Sequence, residues 1–237
     1  MLEQSLNIVL RQLDVAAAAA QRPMPRLLAV SKTQAATAVA ELAAAGQFAF
    51  GENYVQEAAA KQAALAEQGN ALPALEWHLI GHLQSNKAKD AARLFDWVQT
   101  VDRVSLVTAL ARHRPPQREP LDVLLQVNVD DEASKHGCRP DELAVLADAV
   151  AAQPALRLRG LMVIPTPHAD VERRRPAFRR TRELFDELRR RHPGIDTLSM
   201  GMSDDGAIAV AEGATMVRVG TALFGARPPP LASEGSA

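Results

Sequence analysis

The 237 residues carry 27 lysines and arginines against 28 aspartates and glutamates. The resulting net charge of −1 gives no electrostatic reason to expect a nucleic-acid or anionic-membrane partner. A hydrophobic fraction of 47% with 23% charged residues describes an ordinary globular chain, long enough to bury its own core. The lone Cys138 excludes an internal disulfide framework and fits a reducing compartment, and its neighbours Gly137 and Arg139 leave it an inert thiol.

Leu6, Val9, Leu10 and Leu13 recur at i, i+3, i+4 and i+7, the stripe of an amphipathic helix. Glu3, Arg11 and Asp14 interrupt what would otherwise resemble a signal-peptide core, no apolar run has transmembrane length, and the expected location is the cytoplasm. After Pro23 and Pro25, the apolar run Leu27–Val30 reads as a buried strand. Lys32 follows it, at the end where α/β folds gather their chemistry. A lysine there either ends the strand at the surface or, partly desolvated, serves as an amine nucleophile toward a carbonyl.

Thr33 is a candidate cap for an alanine-rich helix over 35–45 that stops at Gly46. A strand over 48–50 then runs into Gly51-Glu52-Asn53, followed by a helix from Tyr54 to Gln68. The pattern repeats with a strand over 76–80 ending at Gly81, and a helix capped by Ser85 that carries Asn86, Lys87 and Lys89. A strand over 95–100 and a helix over 103–112 come next. In the strand over 121–129, Val123, Leu125, Val127 and Val129 alternate with Gln126 and Asn128, which predicts apolar residues toward outer helices and amides toward the interior. A polar loop leads to a helix over 140–152 with Pro140 in its first turn. A strand over 156–164 precedes an arginine-rich helix over 171–191, where Glu172, Glu183, Asp186 and Glu187 interleave with the basic residues and favour a solvated face over an anion patch. Strands over 195–199 and 215–219, with a helix after Ser203 between them, complete the chain.

Eight strands in strict alternation with helices predict a closed (β/α)₈ TIM-type barrel. The expectation is a single α/β domain over 1–227, an extra N-terminal helix covering the barrel bottom, and a disordered tail over 228–237.

The carboxyl ends of the strands then bring Lys32, Asn53, His78, Gly81, Asn128, Met162, Ser199–Ser203 and Arg218–Thr221 to one face. The loops after strands seven and eight are where barrels commonly hold a phosphate, and Ser203, Gly220 and Thr221 suit that role as well as simple capping. Strand eight lies beside strand one in a closed barrel. An aldehyde carrying a phosphate could therefore be gripped by the loops while Lys32 takes its carbonyl, and pyridoxal 5′-phosphate needs that pair. Arg218 is placed to hydrogen-bond the pyridine nitrogen, keeping it unprotonated and the ring a weak electron sink.

Six ordered segments carry a resemblance: Leu28–Lys32 (LAVSK), Phe50–Glu57 (FGENYVQE), Trp77–Lys87 (WHLIGHLQSNK), Arg159–Met162 (RGLM), Leu198–Asp205 (LSMGMSDD) and Thr215–Arg227 (TMVRVGTALFGAR). They span nearly the whole chain and resemble the pyridoxal phosphate homeostasis proteins, a family similar to the barrel domain of alanine racemases (fold type III). The resemblance implies Lys32 as the lysine that binds the cofactor as an internal aldimine, Arg218 at the pyridine nitrogen, Ser203, Gly220 and Thr221 at the phosphate, and Asn53 lining the ring side. His78, Gln84 and Lys87 lie in a strong family segment without an assigned role, and Lys135, in the loop after strand five, matches a lysine often present there and is a candidate for a second, weaker cofactor contact. Gly206, Ala207 and Ala214 depart from the family pattern, which loosens the start of the helix after Ser203. The implied function is binding and release of the cofactor in vitamin B6 and amino-acid homeostasis, without catalysis, with cofactor-requiring apo-enzymes as recipients and a monomeric or weakly dimeric state. The alternative is a minor racemase or another enzyme using the same cofactor. Alanine racemases add a second domain carrying a catalytic tyrosine, whereas Tyr54 is the one tyrosine here and the chain ends just after its eighth unit.

Overall fold

A computed structural model describes residues 1–67, 73–130 and 136–225. Its eight strands are β1 (Arg26–Val30), β2 (Ala49–Glu52), β3 (Glu76–Leu79), β4 (Trp97–Val101), β5 (Leu121–Gln126), β6 (Leu156–Met162), β7 (Thr197–Ser199) and β8 (Met216–Val219). All neighbours pair in parallel in sequence order, and β1 closes on β8, which makes the (β/α)₈ barrel. The helices are α1 (Leu2–Ala19), α2 (Ala36–Ala44), α3 (Val55–Glu67), α4 (Ala88–Leu94), α5 (Val104–His113), α6 (Leu143–Ala151), α7 (Arg175–Arg191), α8 (Gly206–Ala211) and α9 (Thr221–Phe224).

Alternation along each strand sorts the side chains. Ala29, Phe50, Leu79, Val98, Val123, Leu125, Leu198, Val217 and Val219 face the helices in one continuous apolar core. The barrel interior is instead filled by small apolar clusters, Leu28 with Ala49 and Met216, and Trp97 with Leu124 and Met162, among polar groups. Outward Val123, Leu125 and Val127 follow the sequence expectation. The strand itself stops at Gln126, where Val127 forms a single bridge with Cys138.

Three expectations about the first helices need correction. The first helix does not cover the barrel bottom: α1 packs beside α8, α9 and α2 in the outer ring, because its stripe Leu6, Val9, Leu13 and Ala17 joins the core between helices and sheet. Thr33 caps nothing. It holds φ +66, and α2 begins after Ala35. Ser85 is the first residue of a 3-10 turn over Ser85–Lys87, and its hydroxyl accepts from Arg103 Nη2 at 3.1 Å instead of closing a helix end. The expectations for Lys135 and the tail over 228–237 lie outside the described residues.

The arginine-rich helix is laced with ion pairs: Arg175 and Arg179 both reach Glu212, and Arg182 pairs with Asp186. Cys138 is buried, which pushes its thiol up to about 12, beyond ordinary reactivity. No helix among the described residues is long and apolar enough to cross a membrane.

Candidate functional site at the carboxyl end of the barrel

The floor of the site is a chain of buried polar groups crossing the barrel. Arg218 lies on β8 opposite Leu28 of β1, 4% exposed, and donates through Nη1 to Ser199 Oγ (2.7 Å) and through Nη2 to the Val163 carbonyl (2.8 Å). Ser199 Oγ donates to Gln99 Oε1 (2.7 Å), and Gln99 Nε2 lies 2.9 Å from His78 Nδ1. An amide nitrogen can only donate, so Nδ1 accepts and His78 carries its proton on Nε2, 2.6 Å from Glu76 Oε1. Each group thus donates to the next, from guanidinium to carboxylate. Burial lowers the Arg218 guanidinium to about 10, the Asp205 carboxylate opposing that shift. Burial also lowers His78, against the pull of Glu76. Burial tends to raise the Glu76 carboxyl, but the hydrogen bond from His78 and the charge of Arg26 hold it at about 2. His78 is therefore an interior residue in this chain, stacked on Trp97 with centroids 5.0 Å apart, and not a group at the strand end.

Above the floor, Lys32 sits half-buried one residue past Ser31 in a tight turn. Gln34 N donates to the Ser31 carbonyl (3.0 Å), and Thr33 takes the left-handed position of that turn. A β-branched residue is costly there and persists where its surroundings over-determine it. They do. Thr33 N donates to Glu57 Oε1 (2.5 Å), and Lys61 Nζ donates to the Ser31 carbonyl (2.8 Å) and to Glu52 Oε1 (2.5 Å). Ser31 Oγ donates to the same Glu52 oxygen (2.6 Å). Lys61 and Glu52 are buried, and burial raises the Glu52 carboxyl despite its Lys61 partner. Sequence reasoning passed over this pair, yet the signal was there: Lys61 falls on the apolar stripe Val55, Ala58, Lys61, Leu65 of α3.

The loop after β8 lies beside this turn, and the end of β7 runs alongside β8. Gly220 follows β8 against Val30, so close that a Cβ on it would lie 3.4 Å from the Val30 carbonyl. Thr221 opens α9, whose Leu223 and Phe224 amides turn back to the Gly220 carbonyl, while helix geometry leaves its earliest amides unpaired within the helix. Met200 and Gly201 extend β7 alongside β8 through Met200 N to Met216 O and Arg218 N to Gly201 O. Ser203 is exposed in the following turn and does not cap α8. Asp205 is the residue before that helix, and its carboxylate accepts from Met202 N (2.6 Å) and from Arg174 Nη1 (2.7 Å), which pins the turn from the far side. Gly201 holds φ +89, and an added Cβ would meet Ala209 Cβ at 2.5 Å. Gly201→Ala should therefore cost about 1–3 kcal/mol in a denaturant melt and displace the Ser203 turn. An unchanged melt would show that the turn accommodates the methyl.

Asn53 follows β2 on the rim, lining a cavity of about 350 Å³ with Tyr54, Gly81, His82, Gln84 and Lys87. The structure thus brings Lys32, Gly220 and Thr221 together through the β1–β8 seam, with Arg218 beneath and the Ser203 turn alongside. Asn53 and Lys87 lie on the β2–β3 side.

These features define a class: a closed (β/α)₈ barrel with an amine at the end of strand one and hydroxyl-bearing loops after strands seven and eight. A family model for the alanine racemase N-terminal domain matches residues 5–228. The chain is 53% identical over 226 residues to a pyridoxal phosphate homeostasis protein of Pseudomonas aeruginosa, covering 95% of both chains. It is 53% identical over 201 residues to one of Escherichia coli, covering 85% of both. Among solved structures it is similar to PipY of Synechococcus elongatus with PLP bound (TM-score 0.83, 39% identity, 95% of this chain and 100% of that one). The chain belongs to the family of pyridoxal phosphate homeostasis proteins.

Proposed function

We propose that this protein binds and releases pyridoxal 5′-phosphate in the cytoplasm, buffering a reactive aldehyde for apo-enzymes that need it. The strained, ion-pair-locked turn carrying Lys32 beside β8 is the observation that carries the reading. The donor set fits the cofactor: an amine for the aldehyde, a buried guanidinium for the ring nitrogen, and hydroxyls with helix-start amides for the phosphate. When bound, the cofactor supplies an aldehyde that condenses reversibly with an amine and a ring that withdraws electrons. Lys32 holds that aldehyde, and the Glu57 and Lys61 contacts fix where its backbone points. Arg218 cannot accept a hydrogen bond, so it faces the ring nitrogen only as a donor and leaves it unprotonated. Ser203, Gly220 and Thr221 receive the phosphate, and Asn53 lines the ring side.

A binding role without turnover is supported by the relatives' naming and by the chain's acid–base inventory. Racemisation needs an acid and a base on opposite faces of the substrate, and the one tyrosine, Tyr54, is 65% exposed on the rim. The alanine racemase N-terminal match favours a second reading, a minor racemase.

Purified protein incubated with the cofactor should turn yellow, and borohydride should bleach the band and leave the cofactor's mass on the Lys32 peptide. A colourless protein defeats the reading. Holo-protein incubated with each L-amino acid should yield no D-isomer beyond one equivalent. Multiple turnover would establish the second reading instead.

A further inference from the structure

We propose that His82, Asp102 and His136 form a binding site for a divalent ion of the zinc class on the rim of the barrel. The three residues come from three separate loops, after β3, after β4 and after β5, and their ligating atoms lie within 4.8 Å of one another. The imidazoles of His82 and His136 stack with centroids 3.7 Å apart and planes at 13°. His82 Nδ1 lies 3.8 Å from Asp102 Oδ2. An ion with ligands at about 2.0–2.2 Å holds them roughly 3.4 Å apart in a tetrahedral shell, so the two exposed rings, stacked in parallel without the ion, turn out of their stack to aim both nitrogens at it.

Hydrogen bonds from the neighbouring strands and loops back each ligand. Thr100 Oγ1 donates to the carbonyl of Gly81, the residue before His82 (2.9 Å), and Arg103 Nη2 donates to the carbonyl of Leu83, the residue after it (2.9 Å). Arg103 Nη1 also donates to Asp102 Oδ1 (2.6 Å), which leaves Oδ2 turned toward His82. Gln126 Nε2 donates to the His136 carbonyl (3.1 Å), and Cys138 N donates to the Gln126 carbonyl (2.9 Å), fastening the His136 segment to the end of β5. A carboxylate held at one oxygen by an arginine while the other faces the ligand position is the kind of outer support that metal sites use. Two imidazoles and one carboxylate select Zn²⁺, Co²⁺ or Ni²⁺ over Mg²⁺ or Ca²⁺, which take oxygen ligands. Three protein ligands leave a coordination position for water or an anion. The ion would tie three loops together at the mouth of the site, and this assignment does not depend on the cofactor reading.

The test is a titration of the full chain with Zn²⁺ against a chromophoric chelator, repeated with Co²⁺ for its visible spectrum. Wild-type protein should bind one equivalent, with a rise in melting temperature on adding excess Zn²⁺. His82→Ala, His136→Ala and Asp102→Asn should each weaken binding at least tenfold and lose that rise, whereas His113→Ala should match wild type. The ligands lie on the surface or close to it, so the variants should fold, and melting without metal checks this. Unchanged affinity in His82→Ala and His136→Ala, or an equal loss in His113→Ala, overturns the assignment.

Discussion

Replacing Lys32 with alanine should abolish covalent capture of pyridoxal 5′-phosphate altogether. The variant should remain colourless when incubated with the cofactor and show no mass increase after borohydride. Its melting temperature should stay close to wild type, because Lys32 is half-buried at a loop and not part of the core. Residual phosphate-dependent binding should survive, since the Ser203 turn and the Gly220–Thr221 loop are anchored by β7, β8 and Arg174. A yellow Lys32→Ala protein with the cofactor's mass on another lysine would move the site elsewhere.

Lys61→Met should destabilise the protein by about 3–5 kcal/mol at neutral pH, because it leaves Glu52 as an unpaired buried charge. The double variant Lys61→Met/Glu52→Leu should recover most of that loss, since removing both charges removes the desolvation penalty. Burial already raises the Glu52 carboxyl above its ordinary value of 4.5, and removing Lys61 raises it further. A carboxyl raised on folding contributes stability that is fully present below its unfolded pKa and is lost as pH rises through its folded pKa. The Lys61→Met penalty should therefore be smallest near pH 4 and grow toward neutrality, as denaturant melts across that range will show. A pH-independent penalty would mean that Glu52 is not the group responsible. Cofactor capture should also slow in Lys61→Met, because the Ser31 carbonyl and the strained Thr33 lose a clamp. Rapid capture with unchanged yield would separate the ion pair from the function of the turn.

The sequence by itself determined the barrel and which residues stand at the carboxyl ends of its strands. Eight apolar segments at near-regular spacing, each followed by a helical stretch, leave few parallel topologies, and β–α order then dictates which residues share the carboxyl end. Lys32, Arg218, Ser203 and Gly220–Thr221 could be placed on one face for that reason, and alternation along the strand over 121–126 oriented Val123 and Leu125 correctly. Local chemistry misled at three helix starts: Thr33, Ser85 and Ser203 suit a cap by type, but Ala35, Gln84 and Asp205 occupy the capping positions, because where each helix begins is set by how its loop packs.

What only the tertiary structure decided involves groups that meet across the barrel or between loops. Gln99 and Ser199 are a hundred residues apart, and nothing in either strand announces that their side chains close a chain from Arg218 to Glu76. The His82–Asp102–His136 cluster draws one residue from each of three loops, so no spacing along the chain encodes it. Periodicity is a property of one element and can be read from it. A hydrogen bond between elements depends on barrel closure and strand stagger, which arise when the whole sheet forms.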